Sequence, residues 1–226
     1  MSTILRIEAS SQPAVDPTLY WISGSPPAWR VMLALKLKGV PFTSRQLDHP
    51  ARENKAPAYL ALNPKGQVPT LVLGGLVVRE SIAILAWLDR AYPDRLIWGT
   101  DPDSAAAVWQ DVMLMESDLR PAVTATAQGL LRGSEIAQAS IDTLLHEADA
   151  LSARLTQTAF LGGDTPMAND IWLYPALHWI ARGVVKSTAA PKAVARLTED
   201  RPALSGWMTR MAVLPGVAET YPPHWR

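Results

Sequence analysis

Cysteine is absent from the 226-residue chain. That excludes disulfides, thiolate metal sites and a protein-thiol nucleophile, while leaving the compartment open. An excess of charge is also missing. The 21 basic residues meet 21 acidic ones, so the balance favours neither nucleic acid nor an anionic membrane. No apolar run approaches the length of a membrane span. The start, Met1-Ser2-Thr3-Ile4-Leu5-Arg6-Ile7-Glu8, lacks the apolar core of a secretory signal, so a cytoplasmic protein is the expectation. His49, His146, His178 and His224 stand at no metal-ligand spacing, and no metal site is expected. Tryptophan is plentiful instead: nine residues must find places in cores, at a pocket or at an interface.

Hydrophobic periodicity changes along the chain. Residues 1–17 read as an N-terminal extension ending in the turn residues Asp16-Pro17. Thr18–Ile22 is a short β-type run stopped by Ser23-Gly24-Ser25-Pro26-Pro27. Ala28–Lys38 has a helical face in Val31, Ala34 and Leu35, with Gly39 placed to end it. A second strand over Val40–Leu47 and a short helix over Ala56–Leu62 follow. Thr70–Leu73 and Leu76–Val78 flank Gly74-Gly75, a hairpin signal. Ser81 then reads as the cap of a helix carrying Ile84, Leu85, Leu88 and Tyr92.

Beyond a linker over residues 93–103 the pattern is helical almost to the end. Val108, Val112, Met115 and Leu119 form one stripe, with Pro121 expected to bend or break that helix. Ile141, Leu144, Leu145, Ala148, Leu151 and Leu155 form another. Ile171–Ile180 and the run from Ala203 to Met211 supply two more, before a tail ending Pro222-Pro223-His224-Trp225-Arg226. The fold class expected is therefore α+β: a βαβαββα domain over 18–92, then an all-α bundle over 104–226.

The chemistry concentrates in three places. Asn63-Pro64-Lys65-Gly66-Gln67-Val68-Pro69-Thr70 runs a polar turn into Val-Pro at the mouth of a strand. Arg79-Glu80-Ser81-Ile82 puts an acid and a hydroxyl where strand gives way to helix. Ser25 directly precedes the first helix. A backbone edge, a carboxylate and a helix N-terminus together suit a small zwitterionic peptide.

In this order and spacing the segments resemble the cytosolic glutathione transferase family, over nearly the whole chain. Its N-terminal domain is thioredoxin-like and its C-terminal domain helical. Asn63–Pro69 resembles the family's turn before a cis-proline, and Glu80-Ser81 its γ-glutamyl anchor. Ser25-Pro26-Pro27-Ala28-Trp29-Arg30-Val31 resembles the active-site start of helix 1 in serine-type classes such as zeta. Glu53-Asn54-Lys55-Ala56-Pro57 also resembles the phi-class glutathione segment, with Asn54 where that class often has histidine.

The resemblance implies glutathione as co-substrate and Ser25 as donor to its thiolate, with Ser23 and Tyr20 as rivals. It implies Val68 and Pro69 for the cysteinyl backbone, Glu80 and Ser81 for the γ-glutamyl end, and Asn54, Lys55 and Gln67 for the glycyl end. Trp29, Trp109, Met113 and Glu116 are candidate walls for a small hydrophobic electrophile, and Trp225 a candidate flap. Conjugation by a detoxifying homodimer is the reading. A glutathione-dependent isomerase such as maleylacetoacetate isomerase, a peroxidase or dehalogenase, and a non-catalytic scaffold are the alternatives. The segment Gly162–Ile171 resembles the family's capping box, with Thr165 and Pro166 expected to open that helix in place of a hydroxyl at Met167.

Overall fold

The computed structural model describes residues 15–225; residues 1–14 of the expected extension, and Arg226, lie outside the described residues. Strands β1 (Thr18–Trp21), β2 (Thr43–Gln46), β3 (Thr70–Leu73) and β4 (Leu76–Arg79) form one sheet in the order β2-β1-β3-β4. β1 is parallel to β2, pairing Thr18 with Thr43, and antiparallel to β3, pairing Thr18 with Val72. A parallel step needs a crossover, and helix α1 (Pro26–Leu37) supplies it. Side chains alternate across β1, so Leu19 is fully buried with the α1 side. Tyr20, on the other face, lies against Tyr59 of α2 (Pro57–Leu62).

α1 is hydrophobic on more than one face because it packs on two layers. Helix α3 (Ser81–Ala91) flanks it in the sheet half, and α7 (Ala168–Lys186) covers it from the helical half. Val31, Leu33, Ala34 and Leu35 are consequently all fully buried. Asp89 of α3 pins the linker: it pairs with Lys38 at 2.9 Å and accepts the N–H groups of Ile97 and Trp98.

The helical half holds α4 (Pro102–Leu114), α5 (Arg120–Arg132), α6 (Gln138–Arg154), α7, a short α8 (Lys192–Ala195) and α9 (Pro202–Ala212). The expected stripe is buried along α4, while α6 and α9 bury most of theirs and leave Leu145, Leu151, Ala203 and Met208 half-buried. Among the described residues no helix is long and apolar enough to cross a membrane.

Three boundaries differ from expectation. α4 starts at Pro102, inside the expected linker, because Asp101 accepts the N–H groups of Asp103 and Ser104 as an N-cap. Pro121 does not break the helix. It has no N–H to donate, and the turn Met115–Leu119 ahead of it widens to a π-turn in which Arg120 N–H reaches Met115 O. Thr165 and Pro166 do not open α7, which starts two residues later. Asp170 secures that start by accepting from Met167 N (3.0 Å), Leu161 N (2.8 Å), Gly162 N (3.1 Å) and Trp207 Nε1 (2.7 Å). Burial pushes the Asp170 pKa up, and these donors oppose the shift.

Candidate active site

The turn from β1 to α1 places two serine hydroxyls two residues apart and treats them differently. Ser25 holds the N-cap position with extended backbone, φ −82° and ψ 112°, but its side chain caps nothing. Pro26 occupies the first helical position, where no N–H is needed. Among the described residues the Ser25 hydroxyl has no partner. The Ser23 hydroxyl sits 2.7 Å from His224 Nδ1 of the C-terminal tail. Tyr20 lies within β1, its ring 5.7 Å from that of Tyr59.

The Val68–Pro69 peptide bond is cis. Neither the N–H nor the C=O of Val68 has a hydrogen-bond partner among the described residues, whereas the three carbonyls before it are engaged. Gln67 O accepts from Tyr59 Oη (2.6 Å) and Asn63 Nδ2 (2.9 Å). Asn54 Nδ2 donates to Gly66 O (2.7 Å), and Lys55 Nζ to Lys65 O (2.9 Å). Asn54 is buried, so both side chains of the 54–55 pair brace the turn from behind. The approach needs glycine: Gly66 has φ 58°, and a Cβ there would come within 2.6 Å of Asn54 O. The side chain of Gln67 is exposed.

At the third place the expectation is corrected. Ser81 is not the cap of α3 but its first residue; Glu80 takes the N-cap position at φ 67°. The left-handed turn at Glu80 swings the chain into the helix one residue early. Ser81 is 7% exposed, and its hydroxyl has no partner among the described residues. It stands beside the first-turn N–H groups that a helix cannot satisfy internally. The Glu80 carboxylate is exposed and pairs with Lys65 Nζ at 2.8 Å.

The expected walls of a second-substrate pocket do not come together. Trp29 is 3% exposed and belongs to the core. Its Nε1 donates to Thr220 Oγ1 (2.7 Å), and its ring packs on Tyr174, His178, Tyr221 and Trp225. Glu116 is a tie between the halves: it accepts from Arg30 Nη1 (2.8 Å) and Trp172 Nε1 (2.6 Å) and pairs with Arg120. Burial holds the Arg30 pKa down at about 10 despite Glu116. Trp109 stacks on Trp98 at 3.7 Å, and Met113 is exposed on the same helix.

A cavity of about 260 Å³ opens elsewhere, beside the Ser23–Ser25 turn. Ser23 and Gly24 form one side, and His224 and Trp225 of the tail another. Trp179, Arg182 and Lys186 of α7 line it at helical spacing, with Leu131 of α5. α5 and α7 approach closely because Gly183 carries no side chain; a Cβ there would meet Leu130 at 2.9 Å. The tail is tied over the turn: a Cβ on Gly24 would touch His224 at 3.0 Å, and Arg182 donates to His224 O at 3.4 Å. Trp225, a candidate flap from the sequence, lines this cavity. Arg182 and Lys186 lie beyond the stripe Ile171–Ile180, and Trp179 lies within it among core residues; their i, i+3, i+7 spacing was the available signal.

Residues 24–91 match the family model described as "Glutathione S-transferase, N-terminal domain". Glutathione S-transferase 1 of Dianthus caryophyllus is 36% identical over 112 residues, 50% of this chain and 51% of that protein. Maleylacetoacetate isomerase of Pseudomonas aeruginosa is 30% identical over 195 residues, 82% of this chain and 92% of that one. The crystal structure of a glutathione S-transferase from the Antarctic clam Laternula elliptica superimposes with a TM-score of 0.80 at 29% identity, covering 93% of this chain and 94% of that one. Sheet, helical half and the unpaired groups at Ser25, Val68 and Ser81 thus accompany a match to relatives over most of the chain, which belongs to the glutathione S-transferase family.

Proposed function

We propose that the protein is a glutathione transferase that ionises the glutathione thiol and directs it at an apolar electrophile. The observation that carries this is the set of polar groups left without partners: the Ser25 hydroxyl, both backbone groups of Val68, and the Ser81 hydroxyl at the start of α3. Val68 pairs with the cysteinyl backbone as an added strand does. Ser81 and the first-turn N–H groups of α3 take the γ-glutamyl carboxylate, and Glu80, paired with Lys65 in the free protein, meets its ammonium. Asn54 and Lys55 hold the turn that presents Val68, with Lys55 and Gln67 near the glycyl end.

A thiol of pKa about 8.5 is only about 3% ionised at pH 7. Lowering that value by about two units takes about 2.7 kcal/mol of preferential thiolate stabilisation. The Ser25 hydroxyl and the N-terminus of α1 supply it by a charge-assisted hydrogen bond and the helix dipole. The thiolate pair then forms a C–S bond, and the leaving group departs with the electrons of the broken bond.

The same reading includes a glutathione domain over 18–92, a helical domain over 104–226, a cytoplasmic detoxifying role and a homodimer. Exposed Met113 and Leu114 on α4 are apolar side chains that a second copy would cover. A second reading, glutathione-dependent isomerisation of a double bond, draws support from the Pseudomonas aeruginosa relative. Calorimetry with glutathione, followed by conjugation of 1-chloro-2,4-dinitrobenzene, tests the proposal. Saturable binding with turnover supports it, and absence of binding removes it. Isomerisation is distinguished by product formation that consumes no glutathione.

A further inference from the structure

The cavity beside the Ser23–Ser25 turn has an unusual charge inventory. Arg182 and Lys186 both line it, and no aspartate or glutamate does. Among the described residues neither cation has a carboxylate partner; the one recorded bond is Arg182 to the carbonyl of His224. Cations suit the last turn of a helix, and Lys186, the exposed last residue of α7, fits that role, but Arg182 sits a turn earlier and is half-buried against the cavity. Here Arg182 and Lys186 lie one turn apart on the same face as Trp179, with Trp225 across the tail side. Two indole rings offer flat apolar walls, and a guanidinium and an ammonium add two positive charges to the lining.

We propose that this cavity is the electrophile site and that it selects electrophiles bearing a carboxylate, held by Arg182 and Lys186 with the apolar body between Trp179 and Trp225. The site rests on the glutathione transferase reading, because Gly24 lines it and Ser25, the thiolate donor, follows next in the chain. Burial and the charge of Arg182 lower the His224 pKa, so the two α7 side chains supply the positive charge near neutral pH. A volume of about 260 Å³ lies below the usual range of ligand pockets and limits the body to about one aromatic ring.

The test compares ethacrynic acid with its methyl ester as electrophiles, since the two share one reactive centre. The acid's kcat/KM is expected to exceed the ester's by about tenfold, the scale of a charge-assisted contact in a partly enclosed site, and to fall as salt is added. In Arg182→Gln/Lys186→Gln the ratio drops toward one through the KM of the acid. Arg182→Lys keeps most of it, and Lys192→Gln, outside the cavity, keeps all of it. Equal use of acid and ester by the wild type, or a ratio unmoved in the double variant, overturns the inference. Should neither compound turn over, the transferase reading has failed separately. Quenching of tryptophan fluorescence by the glutathione adducts of acid and ester then decides: tighter binding of the acid supports the site, and equal binding overturns it.

Discussion

The two sides of α1 treat polar groups differently. On the side facing the helical half the long-range polar contacts gather, although Arg30 Nε and Thr126 Oγ1 are buried there without a partner: Arg30 and Trp172 share Glu116, Trp29 donates to Thr220, and Asp170 collects four donors in the first turn of α7. At the proposed glutathione groove, the Ser25 and Ser81 hydroxyls and the Val68 backbone have no partner among the described residues. Ser25 and Val68 are partly exposed, and water meets such groups until a ligand replaces it. On the proposed reading the seam carries stability and the groove carries chemistry, and each can be broken without the other.

Replacing Glu116 by alanine gives the largest effect on the seam. It strands the Arg30 charge, 3% exposed, and leaves Trp172 Nε1 without its acceptor. Loss of a buried partner costs about 3–5 kcal/mol. Denaturant midpoints check this, and a loss below about 1 kcal/mol would show that the seam is not held there.

His178 gives the next effect, through pH. Packed among Trp29, Tyr174 and Tyr221, its pKa is pushed down by burial to about 4 from 6.5. A lowered histidine pKa means the unfolded chain binds a proton that the native state refuses. Stability contributed at higher pH is thus lost as pH falls from 6.5 to about 4. The full loss is about 3 kcal/mol. The difference in stability between wild type and His178→Phe, measured across that window, isolates it; parallel curves would contradict a neutral buried imidazole.

Asn54→Ala removes the donor to Gly66 O and is expected to cost about 1–2 kcal/mol, with weaker glutathione binding because the turn presenting Val68 loosens. Unchanged affinity would detach Asn54 from the site. Smallest of all is the stability effect of Ser25→Ala. The hydroxyl makes no hydrogen bond, so thermal unfolding should shift by less than about 0.5 kcal/mol.

The groove side was the more legible from sequence. Val68-Pro69, Ser25 and Glu80-Ser81 belong to short local motifs whose geometry is set by adjacent residues. Even there the cap moved from Ser81 to Glu80, because a positive φ on a non-glycine residue leaves no mark in hydrophobic periodicity. The seam was largely illegible. Trp29 looked like a pocket wall because its partner, Thr220, lies 191 residues away. Glu116 was misplaced for the same reason, since Arg30 and Trp172 come from opposite ends of the chain. Pro121 read as a bend or a break because hydrophobic periodicity does not show the π-turn that accommodates it.

The most direct test of the division is a pH titration of the thiolate absorbance of glutathione bound to the protein. The bound thiol should ionise about two units below its free pKa of about 8.5. That shift should vanish in Ser25→Ala while the fold and glutathione affinity persist, and survive in Ser23→Ala. A shift retained in Ser25→Ala, or lost only in Ser23→Ala, would contradict the assignment of thiolate stabilisation to the unpaired hydroxyl.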